Sequence, residues 1–187
     1  MSGNPIPVSV RKTAERWLDR DPLFLDTETT GMGQEDEVIS VALCDAEGNA
    51  LMDTLVRPAC AWIAPASMAI HGLTEEELRN APGWPEVAGV LRRLLEGRPV
   101  VIFCAPFDIR MMKQSCKAYG LDWWWVVGLD TRCAMKLAEK AFGEGIGLRK
   151  ALGRLGVPFG GTEHRALDDA RATARLLKAL AESETFI

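Results

Sequence analysis

Hydrophobic and polar positions along this chain switch repeatedly between a period near 3.6 and a period of two, and the switches mark out its elements. Residues 9–20, with Ala14, Trp17 and Leu18 on one side, predict a short helix that Asp21-Pro22 ends. An apolar run then opens at Leu23 and continues as a strand over residues 23–28, broken by Gly31. Residues 38–44 and 51–56 are β-rich and flank Asp45-Ala46-Glu47-Gly48-Asn49, a hairpin signal. With the first strand they predict a three-stranded antiparallel meander. Residues 58–73 contain Pro58, Pro65 and Gly72 and are expected to be mostly irregular. Thr74 and Glu77 have capping-box spacing and predict a helix over 75–78.

Further on, Val87, Val90, Leu91, Leu94 and Leu95 give helical periodicity over 84–96, stopped by Gly97. Residues 100–103 are wholly apolar, as a buried parallel strand requires. Pro106 suits the first turn of a helix that carries Phe107, Met111, Met112 and Tyr119 to Gly120. Residues 126–129 read as another strand, after which Asp130-Thr131 opens a helix to about Phe142. Glycines 143, 145 and 147 make a loop, residues 148–155 a short helix, and Gly156-Val157-Pro158 with Gly160-Gly161 leads to His164 and the last helix. The expected architecture is α/β, with a mixed five-stranded sheet of three antiparallel and two parallel strands flanked by helices. The expected organisation is a lead-in with a short helix over 1–21, one domain over 22–182, and a tail over 183–187.

Acids stand out at three places in this pattern. On a strand over 23–28, Asp26 and Glu28 project from one face. Carboxylates that close repel unless protons or cations lie between them. A hard divalent cation answers that need and leaves sites for water and phosphate. An exposed acidic strand end beside a turn fits the same local pattern. Asp108 falls in a helix's first turn, where a carboxylate is favourable whatever its role. On the last helix, steps of about 100° per residue put Asp169 on the apolar stripe with Thr173, Leu176 and Leu180. Asp168 falls on the far side with Arg171, Arg175 and Lys178. An acid facing inward needs a reason to be there, so Asp169 is the functional candidate.

Composition narrows the partners. The 187 residues suffice for one domain with a full core, and the net charge of −4 supplies no basic field for sequence-reading DNA binding. A site that grips phosphate groups through bound cations remains compatible with that charge. Five cysteines without a Cys-x-x-Cys pair argue against a disulfide framework and fit a reducing cytoplasm. No apolar run approaches membrane-spanning length. Trp123-Trp124-Trp125 cannot all face one way, and core packing, partner packing or base stacking could each use them.

Phe24-Leu25-Asp26-Thr27-Glu28-Thr29-Thr30-Gly31 resembles the first motif of the DEDD 3′–5′ exonucleases, the proofreading-type nucleases on an RNase H-like fold. Asp108, in Phe103-Cys104-Ala105-Pro106-Phe107-Asp108, occupies the second motif's place. His164 and Asp169 stand in His-x-x-x-x-Asp spacing, in the family's order, and the histidine points to the DEDDh branch. The resemblance covers about residues 22 to 182. It implies metal-dependent hydrolysis of the terminal phosphodiester from a 3′ end, DNA favoured over RNA and single strands favoured, releasing nucleoside 5′-monophosphates. Asp26, Glu28, Asp108 and Asp169 would hold two divalent cations, Mg2+ or Mn2+, because four converging acids are otherwise prohibitive in charge. Two-metal sites clamp the attacking and leaving oxygens, and the imidazole of His164 suits the attacking water's proton.

The resemblance also assigns contacts with the terminal nucleotide to the region of Thr27, Thr29 and Thr30, a wedge against the base to Met32, and base or sugar packing to Phe107. Ile70-His71-Gly72-Leu73-Thr74 resembles a segment between the first two motifs, so His71 lines the nucleotide site or fixes the turn. One departure stands out: Cys104 occupies a position where relatives often carry Asn, which removes an amide contact near substrate or motif backbone. A polymerase or another protein is a further possible partner. The contrasting reading is a non-catalytic module that binds nucleic-acid ends or a polymerase-like partner, with Trp123 to Trp125 as its docking patch.

Overall fold

Leu23, Phe24 and Leu25 alternate between two separate cores, so the strand they begin is buried on both faces and belongs in the middle of a sheet. The computed structural model describes residues 6–60 and 62–183. Its five strands are β1 (Leu23–Thr29), β2 (Val38–Cys44), β3 (Ala50–Leu55), β4 (Val100–Ile102) and β5 (Thr131–Cys133). They form one sheet of order β3-β2-β1-β4-β5. β1 pairs antiparallel with β2, and β2 with β3. β1 pairs parallel with β4, and β4 with β5. This is the meander plus two parallel strands that the sequence pattern predicts.

Helices cover both faces. They are α1 (Val8–Leu18), α2 (Pro65–His71), α3 (Glu75–Leu78), α4 (Trp84–Leu95), α5 (Ala105–Ala118), α6 (Trp124–Val127), α7 (Ala134–Phe142), α8 (Leu148–Arg154) and α9 (Ala166–Glu182). On one face Phe24 and Val101 pack with Val10 and Ala14 of α1 and with Leu176, Leu177 and Leu180 of α9. On the other, Leu23, Leu25 and Ile102 pack with Trp84 and Leu91 of α4 and Met111 and Met112 of α5. The predicted helix near the N-terminus is thus tied into the core through Val10 and Ala14. The expected loose lead-in begins, and the expected tail ends, outside the described residues.

One element was missed and one expectation needs correction. Residues 58–73 are mostly irregular as expected, but Pro65–His71 within them is helical. Pro65 occupies the first turn and Gly72, at φ 71°, closes the helix in the left-handed region. Proline at the start and glycine past the end are helix boundaries as well as loop signals. The fifth strand is also displaced. Residues 126–129 do not form it; Trp124–Val127 is one helical turn, begun where the Asp122 carboxylate accepts the Trp124 N–H at 3.1 Å. The strand is instead Thr131–Cys133, half-buried throughout, and α7 starts only at Ala134. A short edge strand reading Thr-Arg-Cys offers no apolar run for the pattern to reveal.

Candidate active site

The period of two along β1 sets the first pair. Asp26 and Glu28 share Phe24's face, and both are half-buried. Asp169 comes from the first turn of α9, and one carboxylate oxygen each from Asp26, Glu28 and Asp169 lies within 4.8 Å of the others. Asp108 sits in the first turn of α5, just beyond the end of β4, and is 3% exposed. Thr27, on the opposite face of β1 from the pair, donates its hydroxyl to the Asp108 carboxylate at 2.8 Å. β1 therefore presents two acids directly and steadies a third from its other face. All four carboxylates line one cleft of about 340 Å3.

Burial and mutual repulsion act together here. Burial raises the Asp26 carboxyl well above its ordinary value, and Asp108, Asp169 and Glu28 push it further. Glu28 is raised to about 8 by burial and then by Asp169 and Asp108. Asp108 is raised to about 7 by burial, against the Thr27 hydroxyl that favours its charged form. Asp169 is raised to about 6 by burial, opposed by the backbone N–H of Arg165, which donates to it at 3.1 Å. Among the described residues no lysine or arginine forms an ion pair with any of these four acids. A set of hard oxygen donors with unrelieved negative charge fits a divalent cation such as Mg2+ or Mn2+.

The two neighbouring aspartates of α9 divide as the helical wheel predicts. Asp169 joins the acids. Asp168 turns away, accepting the Thr162 N–H at 3.0 Å with Arg171 4.0 Å off. Gly161 makes that turn possible, since a Cβ there would fall 2.4 Å from the Asp168 carboxyl carbon. His164 precedes α9, is exposed at the cleft, and holds a left-handed backbone with φ 61°. That conformation is uncommon for a residue other than glycine.

The remaining predicted contacts separate into two groups. Thr27, Thr29, Met32, His71 and Phe107 line the cleft, with Met32 73% exposed at its rim. The Thr29 hydroxyl donates to the Gly31 carbonyl at 2.7 Å. Thr30 is not part of the lining; its hydroxyl donates to Asp36 at 2.7 Å and accepts from the Glu37 N–H. His71 is buried, its Nδ1 accepts the Leu73 N–H at 3.0 Å, and burial lowers its pKa. Its Nε2 is buried with no partner among the described residues. Sequence reasoning missed Ser67, Ile70 and Phe103, which also line the cleft. Ser67, Ile70 and His71 lie three and four residues apart on α2, so recognising that helix would have grouped them. Cys104, at the N-terminal boundary of α5, lines the cleft too, and burial pushes its thiol up.

A family model described as Exonuclease, RNase_T, matches residues 23–177. An uncharacterized exonuclease, CP81, of Escherichia phage 186 is 35% identical over 185 residues, covering 93% of this chain and 95% of its own. A DNA polymerase III subunit epsilon-like protein of Rhodobacter capsulatus is 35% identical over 182 residues, covering 89% of this chain and 25% of its own. The PolC-type DNA polymerase III of Thermotoga maritima is 35% identical over 166 residues, and there the match spans only 12% of the relative. Among solved structures, the nuclease domain of 3′hExo, titled a DEDDh family member bound to rAMP, superposes with a TM-score of 0.69 at 16% identity, over 86% of this chain and 92% of that one. Exonuclease X in complex with 5′ overhanging duplex DNA superposes with a TM-score of 0.60 at 26% identity, over 84% and 89%. The mixed sheet is that of the RNase H-like exonucleases.

Proposed function

Because the chain belongs to the RNase_T exonuclease family, we propose that it is a 3′–5′ exonuclease of the DEDDh type, removing nucleoside 5′-monophosphates from nucleic-acid 3′ ends with two divalent cations. The observation that carries this reading is the convergence of Asp26, Glu28 and Asp169 within 4.8 Å, beside a buried Asp108. Those four carboxylates would hold Mg2+ or Mn2+. When bound, such ions supply activation of the attacking water and stabilisation of the departing 3′ oxygen.

The chain's own residues do the rest. The Thr27 hydroxyl holds Asp108 in one orientation. The Arg165 N–H does the same for Asp169. His164 stands at the cleft on an exposed loop, free to take the proton of the attacking water. Met32 and Phe107 give apolar surface for the terminal nucleotide, and Thr27 and Thr29 give it the β1 backbone. His71, buried and with no Nε2 partner among the described residues, offers a hydrogen bond to the same nucleotide. DNA, in single-stranded form, is the favoured substrate, and the choice of DNA is supported by relatives named DNA polymerase III PolC-type and DNA polymerase III subunit epsilon-like protein. A polymerase partner is supported by the same names. A cytoplasmic setting is supported by cysteine usage, and no helix of the described residues is long and apolar enough to cross a membrane.

The test uses a 5′-labelled single-stranded oligonucleotide, DNA or RNA, with Mg2+ or Mn2+. A ladder that shortens stepwise, and stops when the 3′ end is blocked, is the expected result. Cleavage that starts internally or ignores the block would overturn the direction proposed.

A further inference from the structure

The acids use the C-terminal half of β1 and the end of β4. The opposite ends of these strands carry something different. Arg20 precedes β1, Arg98 precedes β4, and Asp130 precedes β5; together with Arg92, Arg93 and Trp125 they line a cleft of about 450 Å3. Four guanidinium groups face two carboxylates there, Glu96 and Asp130, on a chain whose net charge is −4. Part of this charge is already matched. Arg20 pairs with Asp130 at 2.9 Å, Arg98 with Asp21 at 2.8 Å, and Arg132 also binds Asp130. Arg92 and Arg93 are exposed and make no ion pair or side-chain hydrogen bond among the described residues.

The floor of this cleft is apolar. Leu95 is buried, and Leu129 and Trp125 are half-buried. The neighbouring turn of α6 exposes Trp124 at 66% and Val127 at 44%, three residues apart and so on one side of the turn. Trp124 is held by stacking on Trp123 at 4.1 Å between ring centroids, and Trp123 lies under the Lys113 ammonium at 3.9 Å. Trp124 adjoins Trp125, which lines the cleft with the unpaired arginines, and exposed aromatic and arginine side chains have the composition of an interface hot spot.

We propose that this surface docks an acidic segment of a protein partner, with its carboxylates on Arg92 and Arg93 and an apolar side chain against Trp124 and Val127. Charge complementarity selects an acidic occupant. The apolar floor and exposed indole select a peptide over a phosphate backbone, which would need base-stacking room along a continuous basic track. Position agrees, since the cleft lies at the far end of β1 from the four acids and leaves their cleft open. The surface is independent of the nuclease reading.

A random-peptide phage library selected on the full chain tests it. Enriched peptides should combine Asp or Glu with an apolar residue, and their binding should weaken as salt rises. R92E/R93E and, separately, W124A should weaken those peptides by about tenfold or more. Both variants should leave metal-dependent nuclease activity, or thermal stability where no activity is measured, at the parent value. Selection without acidic enrichment, or peptides that bind R92E/R93E like the parent, would overturn the proposal. So would loss of single-stranded oligonucleotide binding by R92E/R93E in EDTA, because the cleft would then be a nucleic-acid surface.

Discussion

Thr27 and Asp108 are 81 positions apart and share a hydrogen bond of 2.8 Å. Replacing Thr27 by Val keeps its shape but leaves a buried carboxylate without its donor. Turnover should fall about tenfold or more with little change in fold, checked by rate assay and circular dichroism. His164→Ala removes the proposed proton acceptor and should lower the rate by about a hundredfold or more. Cation binding should persist in that variant, because His164 is not among the four acids. At this scale the sequence was informative where spacing is rigid. Asp26 and Glu28 share a face because a strand alternates, and Asp169 separates from Asp168 because a helix turns about 100° per residue. It assigned Thr30 to the nucleotide, whereas the hydroxyl is drawn off by Asp36, since only the tertiary turn at residues 31–37 brings that acceptor within 2.7 Å.

Elements show a different balance. Glu37 is 3% exposed and its carboxylate accepts the N–H groups of Ala59 and Cys60, both at 3.0 Å. It fastens the chain that leads into α2, and hence Ser67, Ile70 and His71 at the cleft. Glu37→Ala should cost about 1–3 kcal/mol of stability by removing the acceptor of two backbone N–H groups, measured by chemical denaturation. Long periodic helices such as α4 and α9 were legible from their apolar stripes. α2 was not, because its boundary residues, Pro65 and Gly72, serve loops equally well. β5 was not, because an edge strand of three half-buried residues has no period to read. Val126 and Leu129 supplied a better strand signal nearby, and tertiary packing around the tryptophans overrode it.

For the molecule as a whole, the four acids set a pH dependence. Their folded-state values lie above the ordinary carboxylate range, with Glu28 near 8, Asp108 near 7 and Asp169 near 6. The folded cation-free chain therefore binds more protons than the unfolded chain between about pH 4 and 8, and its stability falls as pH rises through that window. Melting temperature without divalent ions should drop from pH 5 to pH 8, and Mg2+ or Mn2+ should restore it more at pH 8 than at pH 5. Asp26→Asn should lessen the drop. The overall topology was legible in the chain because runs at 23–28, 38–44 and 100–103 each announced a strand. The arginine cleft was not, because Arg20, Arg92 and Arg98 meet only when the starts of β1 and β4 lie side by side.

Everything said of the site depends on cations gathering the four carboxylates into one working centre. Calorimetric titration of Mn2+ into the full chain at pH 8, beside Asp26→Asn, measures that directly. About two ions should bind the parent chain, and the variant should lose at least one of them together with its nuclease activity. Equal Mn2+ binding by both proteins, or none by the parent, would contradict it.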